Sequence, residues 1–202
     1  MAQVPEARHA ESAARERVLD VAEALFQERG LARVTMRDVA DALGMRQASL
    51  YHHAPGGKAQ LYREVFERMI AHHRAGLEAA VGSAGPEVRA RLRAIASWYA
   101  TQRPMNFLRM MTSDMPSLGA EEAQALAAPA YAALMRPLRD VFAEAEAAGA
   151  IAPCDPDLLA GSFLAVLDAV AFAESRAYGA RDQVAMAHTM VDVLLDGLRA
   201  RP

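Results

Sequence analysis

The chain has 202 residues, 53% of them hydrophobic, and a formal net charge of −3. That is enough apolar material for one sizeable core or two modest ones, and too little positive charge for a strongly basic nucleic-acid coat. The one cysteine, Cys154, excludes an intrachain disulfide, and the longest apolar run, from Phe163 to Ala173, is broken by Asp168 and too short to span a bilayer.

Strand signals are nearly absent, and alanine, leucine, arginine and glutamate dominate, so an all-α fold is expected. Residues 1–11 are polar, carry both charge signs and show no secretory leader. They are expected as a disordered arm on a cytoplasmic protein. Charge is uneven along the chain. Residues 1–75 hold 11 Lys+Arg against 10 Asp+Glu, while the remainder holds 11 against 15. The acidic balance therefore lies in the second part.

A first helix is expected from Ala13 to Arg29. Val18, Val21, Ala22, Leu25 and Phe26 recur at helical spacing and define one buried stripe, and Gly30 stops it. From Thr35 to Lys58 the chain reads TMRDVADALGMRQASLYHHAPGGK. Thr35 and Asp38 have the spacing of a capping box. Met36, Val39, Ala40 and Leu43 give the second helix an apolar face, and Gly44 ends it where the backbone needs a positive φ. Gln47 to His53 is too short to be stable alone. Ala48, Leu50 and Tyr51 are expected inward, with Gln47, Ser49 and His52 outward. A short polar helix set at an angle by a glycine turn is what a helix-turn-helix presents to the major groove.

The stretch GMRQASLYHHAPGGKAQL resembles the recognition-helix signature of the Tet repressor (TetR) family, which is close to G-V-S-x-x-[AST]-[LIF]-Y-x-H-F-x-[SN]-K-x-x-L. Gly44, Ser49, Leu50, Tyr51, His53, Lys58 and Leu61 match. Three positions depart from it. Arg46 stands where a capping serine is usual, Ala54 replaces a phenylalanine, and Gly56–Gly57 loosens the step before Lys58. The resemblance implies that Tyr51 and Lys58, the one lysine of the chain, contact phosphate. It also implies a homodimer formed through the last two helices, an effector-binding second domain, and repression as the commoner mode.

Residue chemistry fills in the rest of the expected DNA-binding set: Thr35, Arg37, Arg46, Gln47, Ser49, Tyr51, His52, His53 and Lys58. Thr35 at a helix start can offer amide and hydroxyl donors to a phosphate. Gln47 suits adenine and Arg46 suits guanine, although Arg46 could equally hold only a phosphate. His53 could pack near Tyr51 instead of touching DNA.

A long helix follows from Lys58 to Val81, with Leu61, Val65, Phe66, Met69, Ile70 and Leu77 inward. After the break at residues 82–86, a helix is expected with Pro86 as its first residue and Glu87 to Arg103 following it. A short segment from Met105 to Met115 precedes a long helix, Ala120 to Ala148, that Pro137 should kink. Asp155–Pro156 starts a nearly all-apolar helix, and Asp182 to Arg199 forms the last. Two such helices in succession suggest a four-helix bundle built by two subunits. The domain reading is 1–11 arm, 12–72 DNA-binding head, and 73–202 ligand-binding and dimerisation domain.

Methionines and aromatics concentrate in that second domain, where they can line an adaptable apolar pocket. The expected lining comprises Trp98, Tyr99, Gln102, Phe107, Met110 and Met111, together with Met115, Tyr131, Met135, Phe163, Asp168 and Phe172. Taken one by one, these residues suit a plain core equally well. Asn106, Arg109, Asp114 and Glu174 are further polar candidates for orienting a ligand. Asp168 needs a partner on its apolar face. His52–His53 and His72–His73 are adjacent on helices and face different ways, so no metal site is expected. No nucleophile elbow or phosphate cradle suggests an enzyme, and no cofactor is implied. The resulting expectation is a homodimeric regulator released from a palindromic operator by a small, largely apolar molecule, with no membrane partner. The alternative is a helical regulator or interaction protein with a vestigial pocket, switched by a protein partner or no longer binding DNA.

Overall fold

The computed structural model describes residues 4–106, 109–173 and 182–198, and among these no side chain of 4–11, 172 or 173. Every regular element in the described residues is helical, and none of those helices is long and apolar enough to cross a membrane. The chain divides into two units. Unit 1 takes residues 1–69 and 109–126; unit 2 takes 70–108 and 127–202.

Unit 1 begins with α1, Val4–Arg29, which starts well before Ala13. Residues 4–11, expected as part of a disordered arm, therefore continue the helix. The reason is local: alanine, glutamate and arginine are good helix formers, Pro5 sits in the first turn where proline is tolerated, and no glycine intervenes. Val18, Ala22, Leu25 and Phe26 are buried as the stripe requires, and Leu19 joins them. A 3₁₀ turn at Leu31–Arg33 follows, with Leu31 and Val34 buried. α2 spans Met36–Leu43, α3 Gln47–His53, and α4 Gly57–Ser83. α1 packs on both α2 and α3. Tyr62 of α4 meets Phe26 edge-on at 5.4 Å and stacks on Phe66 at 6.2 Å. Arg68 ties α4 to α1 through Asp20 at 2.8 Å, Glu23 at 2.5 Å and Glu16 at 3.2 Å.

The segment from Arg109 to Leu126 belongs to unit 1, although its sequence reads as part of the second domain. It forms a π-helical turn, Met110–Asp114, then a 3₁₀ turn, Met115–Leu118. Arg109 and Asp114, expected to orient a ligand, instead hold the end of α1. The Arg109 guanidinium donates through Nη2 to the carbonyls of Phe26 at 3.0 Å and Gln27 at 2.8 Å. Asp114, only 4% exposed, accepts the Leu31 amide at 2.9 Å, and its other oxygen lies 3.5 Å from Arg109 Nε. The last carbonyls of a helix have acceptor capacity to spare, so the half-buried Arg109 guanidinium finds ready acceptors there. Burial, with the charge of Asp114 added, pushes the Tyr62 hydroxyl well above the ordinary tyrosine range.

Unit 2 holds the second half of α4, then α5 (Val88–Ala100), most of α6 (Ala120–Ala147), α7 (Pro156–Ala173) and α8 (Gln183–Gly197). α5 lies along α8, and α7 packs against both. α5 starts at Val88 rather than Pro86, with Glu87 as its cap: the Glu87 carboxylate accepts the Ala90 amide at 2.9 Å. The helix ends at Ala100 rather than Arg103, because Thr101 and Gln102 both turn their side chains back to the Trp98 carbonyl. Pro129 and Pro137 lie inside α6 without interrupting it. Asp155 and Asp182 cap α7 and α8 through their carboxylates.

Trp98 packs where α4 carries Gly76. A Cβ built on Gly76 would lie 1.9 Å from the indole Cζ2. Gly76→Ala is therefore expected to destabilise the protein by about 1–3 kcal/mol through overpacking. A urea midpoint followed by circular dichroism checks this; an unchanged midpoint would mean the indole has room to retreat.

Candidate nucleic-acid interface

The pair α2–α3 is set by caps at three of its four ends. Thr35 Oγ1 accepts the Asp38 amide at 3.2 Å, and Asp38 accepts the Thr35 amide at 2.7 Å and the Thr35 hydroxyl at 2.5 Å, closing the box. These bonds, the hydroxyl first, hold the Asp38 carboxyl below the usual carboxylate range. The cap's contribution is thus present above that range and lost as pH falls through the lowered value. Gly44 takes φ 67°, and the Gly44 and Met45 amides bond back to Asp41 and Ala40. At the far end of α3 the Ala54 amide bonds to Leu50 at 2.9 Å. The N-terminus of α3 is the exception: Arg46 makes no side-chain cap.

Leu50 is fully buried and anchors α3, and Ala54 fills the space beneath it. Gln47, Ser49 and His52 are exposed as expected, and so are Thr35, Arg37 and Arg46. Ala48 and Tyr51 are exposed too, whereas the sequence placed them inward. On so short a helix one leucine suffices as anchor, and the tyrosine is left with its ring outside. Arg37 lies 3.7 Å from Asp41 in an exposed pair one turn apart, so part of its field is cancelled locally. His53 is half-buried, and its carbonyl accepts from Arg15 Nη1. Lys58 is also half-buried; its Nζ donates to the Leu31 carbonyl at 3.0 Å. An ammonium has three donors, so this bond leaves others for a phosphate.

Arg15, Gln60 and Glu64 were not singled out by sequence. Gln60 and Glu64 stand one turn apart on α4, the spacing at which side chains meet. Arg15 had no local signal, because its partners are His53 and Glu64, distant in the chain.

The expected pocket residues are distributed differently. Met110 and Met115 are buried in unit 1, and Met111 is 38% exposed. Phe107 and Glu174 lie outside the described residues, as does the side chain of Phe172. Trp98 packs against both His72 and His73, whose ring centroids are 5.7 and 5.4 Å away. Gln102 bonds His72 Nε2 at 2.9 Å. Met135 and Phe163 are core, Phe163 edge-on to Phe142 at 6.1 Å. Tyr131 is half-exposed and donates its hydroxyl to Asp157. Asp168 finds its partners within unit 2: it accepts the Tyr99 hydroxyl and the Met105 amide, each at 3.1 Å. Burial, reinforced by Asp168, pushes the Tyr99 hydroxyl far above its ordinary range. Asn106 takes φ 53°, a left-handed conformation that asparagine tolerates. A cleft of about 680 Å³ opens between α4, α5 and α6, lined by Arg74, Glu78, Arg91, Pro129, Arg136 and Glu144 among others.

Residues 18–65, which contain α2, α3 and the start of α4, match the family model for bacterial regulatory proteins, tetR family. The HTH-type transcriptional repressor KstR2 of Rhodococcus jostii (strain RHA1) is 55% identical over 42 residues, which is 21% of either chain. The similarity therefore spans about a fifth of that relative's length. Two solved structures align over nearly the whole chain. One is a tetR-family regulatory protein from Rhodococcus RHA1, with a TM-score of 0.75 at 20% identity, covering 94% of this chain and 98% of that one. The other is AibR in complex with isovaleryl coenzyme A and operator DNA, with a TM-score of 0.72 at 22% identity, covering 89% and 96%. At such identities the likeness establishes the fold alone.

Proposed function

The chain belongs, through residues 18–65, to the tetR family of bacterial regulatory proteins, and from this premise we infer that it is a DNA-binding transcriptional regulator. The observation that carries the inference is the exposed polar surface of α3, anchored by Leu50 and angled by Gly44. Such a helix can enter the major groove with Gln47 and Arg46 toward base edges and Tyr51 and Lys58 toward phosphates. An electrophoretic shift with DNA from upstream of its own gene tests this. In the same assay Lys58→Ala is expected to weaken binding to all sequences and flatten the salt dependence by about one unit. Gln47→Ala should lower the preference for the operator over scrambled DNA. Equal losses on both would reject base reading by Gln47.

The finer reading is a homodimeric repressor released by a small effector held in unit 2. Its support is the surface of the last two helices. α7 leaves Leu158, Ser162, Ala165 and Ala169 exposed at helical spacing, and α8 leaves Ala185, Thr189 and Val193 exposed. None of these side chains is charged, in keeping with the depletion of charge at the core of interfaces, and exposed Asp196 bounds the α8 stripe one turn beyond Val193. Two heads could then meet successive major grooves on a palindromic operator. By linkage, an effector that releases the protein must bind the released geometry more tightly than the DNA-bound one. AibR, which shares the fold, was solved with both an acyl-coenzyme A and operator DNA, so the fold accommodates such a pairing.

The packing of Tyr99, Met135 and Phe163 into the core favours a second reading, a regulator without a small-molecule site. A thermal-shift screen with apolar ligands separates the two: stabilisation by any of them supports the effector reading.

A further inference from the structure

We propose that Arg15, Glu64 and Gln60 form a relay that positions the recognition helix and thereby sets the sequence selectivity of the head, without touching DNA. This rests on the DNA-reading role of α3 argued above.

α3 has only seven residues and no side-chain cap at its N-terminus. A helix this short has little stability of its own, so its placement depends on what grips its ends. At the C-terminal end the last carbonyls have no intrahelical partner. Arg15 of α1 fills that role by donating from Nη1 to the His53 carbonyl, which also puts a cation at the negative end of the helix. Its second arm, Nη2, donates to Glu64 Oε2 on α4. Glu64 Oε1 accepts from Gln60 Nε2 at 2.8 Å, and Gln60 Oε1 accepts the Gly56 amide at 2.7 Å. One chain of bonds thus joins α1, the end of α3, α4 and the step between α3 and α4.

The glycines of that step fit the relay. A Cβ on Gly56 would lie 2.9 Å from Gln60 Oε1 and 3.0 Å from Gln60 Cβ, so a side chain there would push Gln60 off the Gly56 amide. Gly57 takes φ +68°, the left-handed conformation that opens α4. The residues that loosen this stretch in the sequence are the ones that let Gln60 close over it. Arg15, Gln60 and Glu64 are each half-buried, and Arg15 is engaged on both arms. They act through α3, as positioning residues.

The test uses the full chain and an operator that the wild-type protein selects from a random duplex library. Arg15→Ala, Gln60→Ala and Glu64→Gln are titrated against that operator and a scrambled duplex over a range of salt. Each is expected to lose about tenfold in operator affinity, or 1.4 kcal/mol, with scrambled binding and the salt slope retained. The Arg15→Ala/Gln60→Ala double variant should be no weaker than the weaker single variant, because the relay acts as one unit. A salt slope shallower by about one unit in Arg15→Ala would make Arg15 a phosphate contact and overturn the proposal. So would an unchanged operator-to-scrambled ratio in Gln60→Ala, a change at a half-buried position that circular dichroism can show to keep the fold. If the wild-type protein enriches no sequence from the library, the DNA-reading assignment falls first, and the relay with it.

Discussion

A chain carrying Leu158→Arg together with Val193→Arg is expected to sediment as a monomer and to lose its grip on operator DNA. Leu158 is 62% exposed and Val193 60% exposed, the largest exposures among the described bulky apolar side chains of α7 and α8. Burying an aliphatic side chain contributes about 1.5–3 kcal/mol. In a two-fold interface each position counts twice and about 60% of each side chain remains to be buried, so the pair contributes on the order of 4–7 kcal/mol, and four introduced guanidinium groups would repel one another. A loss of that size moves dimer dissociation out of the working concentration range. DNA binding should fall with it, because the second half-site is held at a high effective concentration only while the heads are joined. Sedimentation equilibrium decides the first step and an electrophoretic shift the second. A variant that remains dimeric would place the interface elsewhere on the protein.

Asp114→Ala is the substitution expected to cost most in folding stability. The carboxylate is 4% exposed, accepts the Leu31 amide at 2.9 Å and faces Arg109. Removing it leaves the buried Leu31 amide without its acceptor and takes the nearest counter-charge from Arg109, whose Nη2 keeps its two carbonyls. Losing a buried hydrogen bond to a charged group costs about 1.5–3 kcal/mol. For a protein of this length that corresponds to a fall in melting temperature of roughly 3–12 °C. Leu31 is the hinge of the effect, since its amide goes to Asp114 and its carbonyl to Lys58. Thermal unfolding of the variant checks the magnitude, and a change below about 1 kcal/mol would show that the Leu31 amide finds another acceptor.

The head was legible because its signals are local. Thr35 and Asp38 sit three apart, Gly44 needs its positive φ, and Leu50 matches the apolar position of the signature; each can be read without knowing the fold. What was not legible came from partners distant in sequence. Arg109 and Asp114 look like ligand-orienting polar residues until α1 brings the carbonyls of Phe26 and Gln27 to them. Asp168 looks unpaired on its helix until Tyr99 and Met105 arrive. Tyr131 looked like pocket lining because aromatics usually turn inward, yet its hydroxyl has an aspartate to meet at the surface. The start of α1 is obscured for another reason: its polar composition suits a disordered arm, while its alanine, glutamate and arginine favour helix as strongly.

Trp98 is the single tryptophan of the chain, and it is wedged against Gly76 with His72 and His73 at its edges. The protein therefore carries its own optical label, placed wholly in the unit that does not read DNA. Indole emission cannot report contacts of the recognition helix directly. Any change in that emission when operator is added must have been relayed from one unit to the other. A titration in an ordinary fluorimeter thus records communication between the two units, with no label attached and no effector identified.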